Sequence, residues 1–180
     1  KHIQEESVRV AYTHPDIQFS MTHNGKEIFQ LPASRLRQRI VAILGKRFDE
    51  RLVPVEENTD IVRVKGFVTK PEYAKKTKGE QYLFINNRYI KNGYLHHAIM
   101  GAFEGFIPHK TYPSYFIYFT IDPKAIDVNI HPTKTEVKFE EERAIYAILK
   151  SAIKQALGQF NAVPSLDFET ETSFNPPPLK

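Results

Sequence analysis

The alternation of apolar and polar positions along the chain predicts short strands interleaved with four helical stretches. Ile17, Phe19 and Met21 occupy alternate positions over 17–23, as in a half-buried strand, and lead into Asn24-Gly25. That dipeptide is the strongest two-residue hairpin signal, and Ile28, Phe29 and Leu31 read as the returning strand. Leu36, Ile40, Ile43 and Leu44 recur at helical spacing, with Ser34 as the predicted cap and Gly45 as the predicted stop. A short strand follows over 52–55, broken by Pro54, and then a longer one over 61–68 with Val62, Val64 and Val68 on one face. Residues 70–80 form a loop, 81–85 and 88–90 form strands around an Asn86-Asn87 turn, and 92–106 forms a helix. That helix buries Leu95, Ile99, Ala102, Phe103 and Phe106. The most β-prone run, 114–121, turns at Asp122-Pro123. A last helix starts at the glutamates 140–142, where its dipole favours anions, and ends near Leu157. Residues 1–12 read as the end of a further helix.

From 161 onward the pattern dissolves into acidic residues and Pro176-Pro177-Pro178, a linker composition predicted to be disordered. Intermixed strands and helices with hairpins give an α+β class with a mixed or mainly antiparallel sheet. At 180 residues, 41% hydrophobic and 26% charged, the chain suits one compact domain and a tail. No apolar run is long enough to cross a bilayer, and no secretory signal opens the sequence. The absence of cysteine excludes disulfides and thiolate metal sites. A net charge of +4 leans towards anionic partners.

Few residues have spacings that suit a self-contained enzyme. His96 and His97 are adjacent on a helix and so point about 100° apart, not to one ion; no metal site is expected. Gly45-Lys46-Arg47 lacks the rest of a phosphate loop, and no Gly-x-Ser-x-Gly elbow occurs. Basic clusters are the better lead. Arg35, Arg37, Arg39, Lys46 and Arg47 gather around the second helix, part of them as solvated surface. The 70–80 loop is single-signed and expected to be mobile, as an arm that tracks phosphates would be. Its Lys75, Lys76 and Lys78, together with Arg88 and Lys91, are the candidate DNA-binding residues. Phe116 and Phe119 sit in the densest apolar run and are expected in the core. Finally, "DVNIHPTKTEVKF" at 127–139 carries two short alternating runs with Lys134 between them, on the residues alone an exposed strand connection.

This stretch closely resembles the signature closing the second domain of the MutL family of DNA mismatch-repair ATPases. "FINNRYIKN" at 84–92 is similar to that family's Asn-x-Arg strand-turn-strand element, and "THNGKEI" and "LHHAIMGAFEGF" fall in the family's order. The resemblance covers about residues 1–160. It implies a transducer domain with a ribosomal-protein-like fold: a mixed sheet, helices packed on one face, and a left-handed β-α-β crossover, although such crossovers are right-handed in most proteins. Residues 1–14 would be the end of a helix leading out of a GHKL ATPase domain, 15–160 the transducer, and 161–180 the linker.

The family's lysine is carried onto Lys134, which would reach the γ-phosphate of ATP held by the neighbouring domain. Asp127, Asn129 and His131 would brace the loop. The resemblance further implies ATP and Mg2+ as cofactors of the longer parent, none bound to this piece, and no catalysis by it alone. Implied partners are DNA, the ATPase domain, a second copy of the parent and the mismatch-recognition protein MutS, with no membrane, in the bacterial cytoplasm at the nucleoid. The alternative is the transducer of a GHKL type II topoisomerase resembling gyrase B, whose lysine lies in a Gln-Thr-Lys loop; His131-Pro132-Thr133-Lys134 favours the first reading.

Overall fold

The structure is a computed structural model that describes residues 2–128 and 137–174, with side chains over 4–126 and 139–160. Its centre is a five-stranded sheet in the order β3-β4-β7-β5-β6, built from β3 (Leu52–Asn58), β4 (Arg63–Thr69), β5 (Gln81–Ile85), β6 (Arg88–Ile90) and β7 (Tyr115–Thr120). Every pairing is antiparallel except β5 with β7, which run parallel. The connection between that pair passes through β6 and α3 (Gly93–Phe103), as the crossover of the resemblance requires. Pro54 does not break β3 as expected. The strand continues to Asn58 because it is an edge, where a residue without an N–H is tolerated.

Strand periodicity divides the buried side chains between two faces. Val53, Val55, Val64, Val68, Leu83, Ile85, Ile90, Tyr115, Ile117 and Phe119 face α3 and α4 (Glu142–Phe174). Leu95, Ala98, Ile99, Ala102 and Phe103 of α3 and Ile145, Leu149, Ala152 and Ile153 of α4 complete this core. Helices on this face match the expectation, though α4 extends beyond the end predicted near Leu157. Phe84, Phe116 and Leu52 point the other way, and there the structure adds what the sequence did not suggest. Tyr12 of α1 (His2–Thr13) and Ile40 of α2 (Leu36–Leu44) close a second cluster over them. Phe116 and Phe119 are both core, as expected, but on opposite faces. Gly66 allows β4 and β7 to approach closely, because a Cβ there would collide with the Phe116 carbonyl.

The local signals mostly hold. Asn24 and Gly25 both adopt positive φ, 51° and 76°, and turn β1 (Phe19–His23) into β2 (Lys26–Leu31). Asn86 and Asn87 do the same between β5 and β6, at 46° and 67°. Gly45 ends α2. Ser34 does not cap it: the N-cap is Arg35, whose N–H donates to Gln38 Oε1 at 3.1 Å.

Arg39, read from the sequence as part of a basic cluster, is instead fully buried. Its guanidinium donates to the carbonyls of Ala11 (2.8 Å), His14 (3.2 Å), Pro15 (2.9 Å), Ile17 (2.6 Å) and Pro32 (2.9 Å). Two of these acceptors lie at the C-terminal end of α1, where helix carbonyls lack partners and a cation is favoured. Burial lowers the pKa of Arg39, while the nearby charge of Asp16 opposes the shift. Removing the fork would take its donors from all five carbonyls, of which His14 and Pro15 would keep the N–H groups of Ile17 and Ser34. Arg39→Met is expected to destabilise the chain by about 3 kcal/mol in urea unfolding, with Arg39→Lys recovering only part of that, because an ammonium cannot span five carbonyls.

Candidate functional site

The stretch around Lys134 is framed by two strands that the sequence predicted. β8 (Ile126–Val128) and β9 (Val137–Phe139) pair antiparallel, with Ile126 opposite Phe139, Asp127 opposite Lys138 and Val128 opposite Val137. Lys134, Asn129, His131 and Pro132 lie outside the described residues, as does the side chain of Asp127. What the structure does define is how the stem is rooted. Phe139 is buried in the α3–α4 core with Ala125 and Ile126 packed against it, and the Glu140 N–H donates to the Ala125 carbonyl at 3.1 Å. Upstream, the Asp122 carboxylate accepts from the Lys124 N–H at 3.0 Å and shapes the turn into β8.

A second anchor comes from the Asn-x-Arg element. Asn86 Nδ2 donates to the Ile121 carbonyl at 2.9 Å, and its Oδ1 accepts from the Ile121 N–H at 3.0 Å. The Asn86 N–H also donates to the Phe119 carbonyl at 2.9 Å. This side chain therefore continues the β5–β7 pairing past the end of the strand and fixes the segment that feeds the stem. Sequence reasoning identified the motif but not this role, since an amide that mimics a backbone pair depends on two segments that only the fold brings together.

The five candidate DNA-binding residues are not all brought to one place. Lys75, Lys76, Lys78 and Lys91 are exposed and lie towards the start of β5. Arg88 pairs opposite Ile85, at the far end of a strand about 13 Å long. The loop is also less free than expected. Pro71–Tyr73 forms a 3-10 turn, and Lys75 and Tyr112 exchange backbone hydrogen bonds of 3.0 and 2.6 Å. At its end Gly79 allows close approach to Ser114, whose Oγ accepts from the Glu80 N–H at 3.2 Å. Thr69, Tyr112 and Ser114 are the residues that order this loop, and no periodic signal marks them.

The two adjacent histidines diverge, as predicted. His96 Nδ1 lies 2.8 Å from the Tyr115 hydroxyl, and His97 Nδ1 lies 2.6 Å from the Tyr146 hydroxyl. Among the described residues no three His, Cys, Asp or Glu side chains assemble as for a metal ion, and no helix is long and apolar enough to cross a membrane. On the second face, burial pushes the phenols of Tyr12, Tyr82 and Tyr118 far up, so they stay neutral.

The fold, a mixed sheet with a parallel crossover, is shared with solved structures of DNA-processing proteins. The crystal structure of the N-terminal domain of a DNA repair protein superposes with a TM-score of 0.71 at 22% identity, over 86% of this chain and 52% of that one. The Aquifex aeolicus MutL ATPase domain complexed with ADP matches at 0.51 and 18%, over 82% and 45%. The B-subunit of DNA gyrase from Myxococcus xanthus matches at 0.51 and 15%, over 86% and 55%.

Sequence then decides the family. Residues 40–158 match the family model described as "DNA mismatch repair protein, C-terminal domain", and the chain belongs to that family. It is 58% identical to the DNA mismatch repair protein MutL of Christiangramia forsetii over 98% of its own length, and spans 29% of that relative.

Burial is the main reason the pKa of His96 lies below its ordinary value, with the charges of Lys78 and His97 adding to the effect. The unfolded chain takes up this proton near pH 6.5, and the folded chain only at lower pH. Stability from this group is therefore full above about pH 6.5 and falls as pH drops towards the folded pKa. His96→Gln is expected to flatten that limb of a stability–pH profile measured by denaturant unfolding.

Proposed function

We propose that this chain is the transducer domain of a MutL-type mismatch-repair ATPase, coupling the ATP state of a neighbouring domain to dimerisation and DNA contact. The observation that carries the reading is the β8–β9 stem, which brackets the His-Pro-Thr-Lys signature and is rooted in the core through Phe139. A rooted stem restricts the freedom of the loop it carries, which lowers the entropy lost when a lysine docks. In this reading Lys134 extends into the ATP site of the preceding domain and meets the γ-phosphate. An ammonium suits that role, because it docks only when a trianionic terminus is present and stabilises the charge that builds up during transfer. ATP and Mg2+ belong to the longer parent, and the piece alone is silent in hydrolysis. Residues 1–14 lead in from the ATPase domain, 15–160 form the transducer, and 161–180 are a linker, in which α4 continues to Phe174 where the sequence had suggested disorder. DNA, a second copy of the parent and MutS are its partners, in the bacterial cytoplasm.

The gyrase-like alternative shares the fold. The match of 40–158 to the mismatch-repair family and the relative at 58% identity favour MutL over the gyrase likeness at 15%.

Two measurements test the reading. In the parent carrying its ATPase domain, Lys134→Ala should lower steady-state hydrolysis roughly a hundredfold. The thermal melt should stay unchanged, and full activity in that variant would remove the lysine from the site. DNA binding by the 180-residue chain should be independent of sequence and fall on the order of a hundredfold between about 50 and 200 mM salt, if about four phosphates are contacted. The combined Lys75→Glu, Lys76→Glu and Lys78→Glu variant should bind every sequence more weakly, and unchanged affinity would move the surface away from this loop.

A further inference from the structure

We propose that Asn86 is a positioning residue for the Lys134 loop, acting through the end of β7 and the β8–β9 stem and not through contact with nucleotide. The inference rests on the transducer reading above and gives a part in hydrolysis to a residue far from Lys134 in the chain. The two legs of the stem are held differently. On the returning leg, β9 ends in the buried Phe139, and the Glu140 N–H donates to the Ala125 carbonyl at 3.1 Å before α4 begins. On the outgoing leg both neighbours of β7 run out at one level. β4 pairs as far as Arg63 with Thr120, and β5 as far as Ile85 with Phe119. Beyond that level the Asn86 amide takes the place of a backbone partner. It donates from Nδ2 to the Ile121 carbonyl at 2.9 Å and accepts at Oδ1 from the Ile121 N–H at 3.0 Å. Asp122 follows directly, and its turn leads into β8 at Ile126.

An asparagine in a tight turn needs no such role, because its short side chain tolerates positive φ. The other asparagine turn serves as a control. Asn24 holds a φ of 51° against 46° for Asn86, and its Nδ2 lies 3.4 Å from Nε2 of the adjacent His23, a contact within its own turn. Asn86 instead reaches a residue 35 positions away, through two part-buried bonds. Turn geometry therefore explains the backbone of Asn86 but not its amide. Ile121 is itself buried, in the same core as Phe139, so the two legs of the stem share one base. Fixing Ile121 fixes the direction in which the outgoing leg leaves that base. A lysine carried on a fixed stem meets its phosphate reproducibly, and a small misplacement of a reacting group costs a large factor in rate.

The test uses Asn86→Gly, which keeps positive φ accessible and removes only the amide. In the 180-residue chain, hydrogen exchange should speed up roughly tenfold at Ile121 and across β8, and stay unchanged in the β1–β2 hairpin. In the parent carrying its ATPase domain, Asn86→Gly should lower kcat roughly tenfold and leave the KM for ATP unchanged, since the nucleotide pocket lies in the other domain. Combined with Lys134→Ala, it should cause no loss beyond that of Lys134→Ala alone, because nothing is left to position. A change that merely destabilises the fold would lower activity by the same factor in both backgrounds, and that additivity would overturn the inference. Unchanged exchange across β8 would overturn it as well, while the transducer reading stood. If Lys134→Ala alone leaves hydrolysis intact, the transducer reading fails first and this inference with it.

Discussion

Burial of β7 on both faces is the constraint on which the rest of the structure depends. The strand lies in the sheet interior, antiparallel to β4 and parallel to β5, and its run Tyr-Phe-Ile-Tyr-Phe leaves almost no polar position. A strand of that kind is stable only if helices cover both sides. On one side α3 and α4 supply an ordinary apolar layer. On the other the cover is thinner, and its rings do much of the packing: Tyr12 lies 4.9 Å from Tyr82 and 5.4 Å from Phe116. The Tyr118 hydroxyl of β7 donates to the Tyr12 carbonyl at 2.7 Å, which ties α1 directly to the central strand.

Holding α1 there requires the buried Arg39. The end of the helix, the segment after it and the approach to α2 all turn carbonyls inwards at one point, where the backbone N–H groups of Ile17 and Ser34 reach only those of His14 and Pro15. A single planar fork meets five of them, and no shorter side chain has enough donors in that geometry. The cost is an uncompensated buried charge, softened by Asp16 and by the ring of Phe19 at 5.4 Å. Along β7 the same rigidity continues to the other end of the sheet. Asn86 and Ile121 extend the pairing, and the chain then passes through the Asp122 turn into the stem. Between the docked helix and the stem lie β7, its extension at Asn86 and Ile121, and the Asp122 turn, each held by hydrogen bonds.

The surface shows the opposite economy. Charges that read alike in the sequence have separated into different tasks. Arg39 is structural and Arg37 pairs with Asp49 at 2.9 Å, while the lysines of 75–78 keep their charge for solvent or for a ligand. The lysine loop is held by Thr69, Tyr112 and Ser114, so its exposed ammonium groups are presented from fixed backbone.

What the sequence determined by itself was most of what depends on neighbours along the chain. The two Asn-containing hairpins, the Gly45 stop, the buried stripe of α3, the two short strand runs flanking Lys134 and the family motifs all follow from local conformation or short spacing. Tertiary structure decided the rest. Arg39 and Arg35 are indistinguishable at i and i+4 until the five carbonyls around one of them converge from three separate segments. Ser34 lost the capping role because the chain enters α2 one residue later, with Gln38 placed to accept instead. Arg88 parted from the lysines because β5 lies between them, and the second aromatic face had no signature because Tyr12 meets Phe116 only across more than a hundred residues. Such contacts carry no period along the chain, so only the folded arrangement could reveal them.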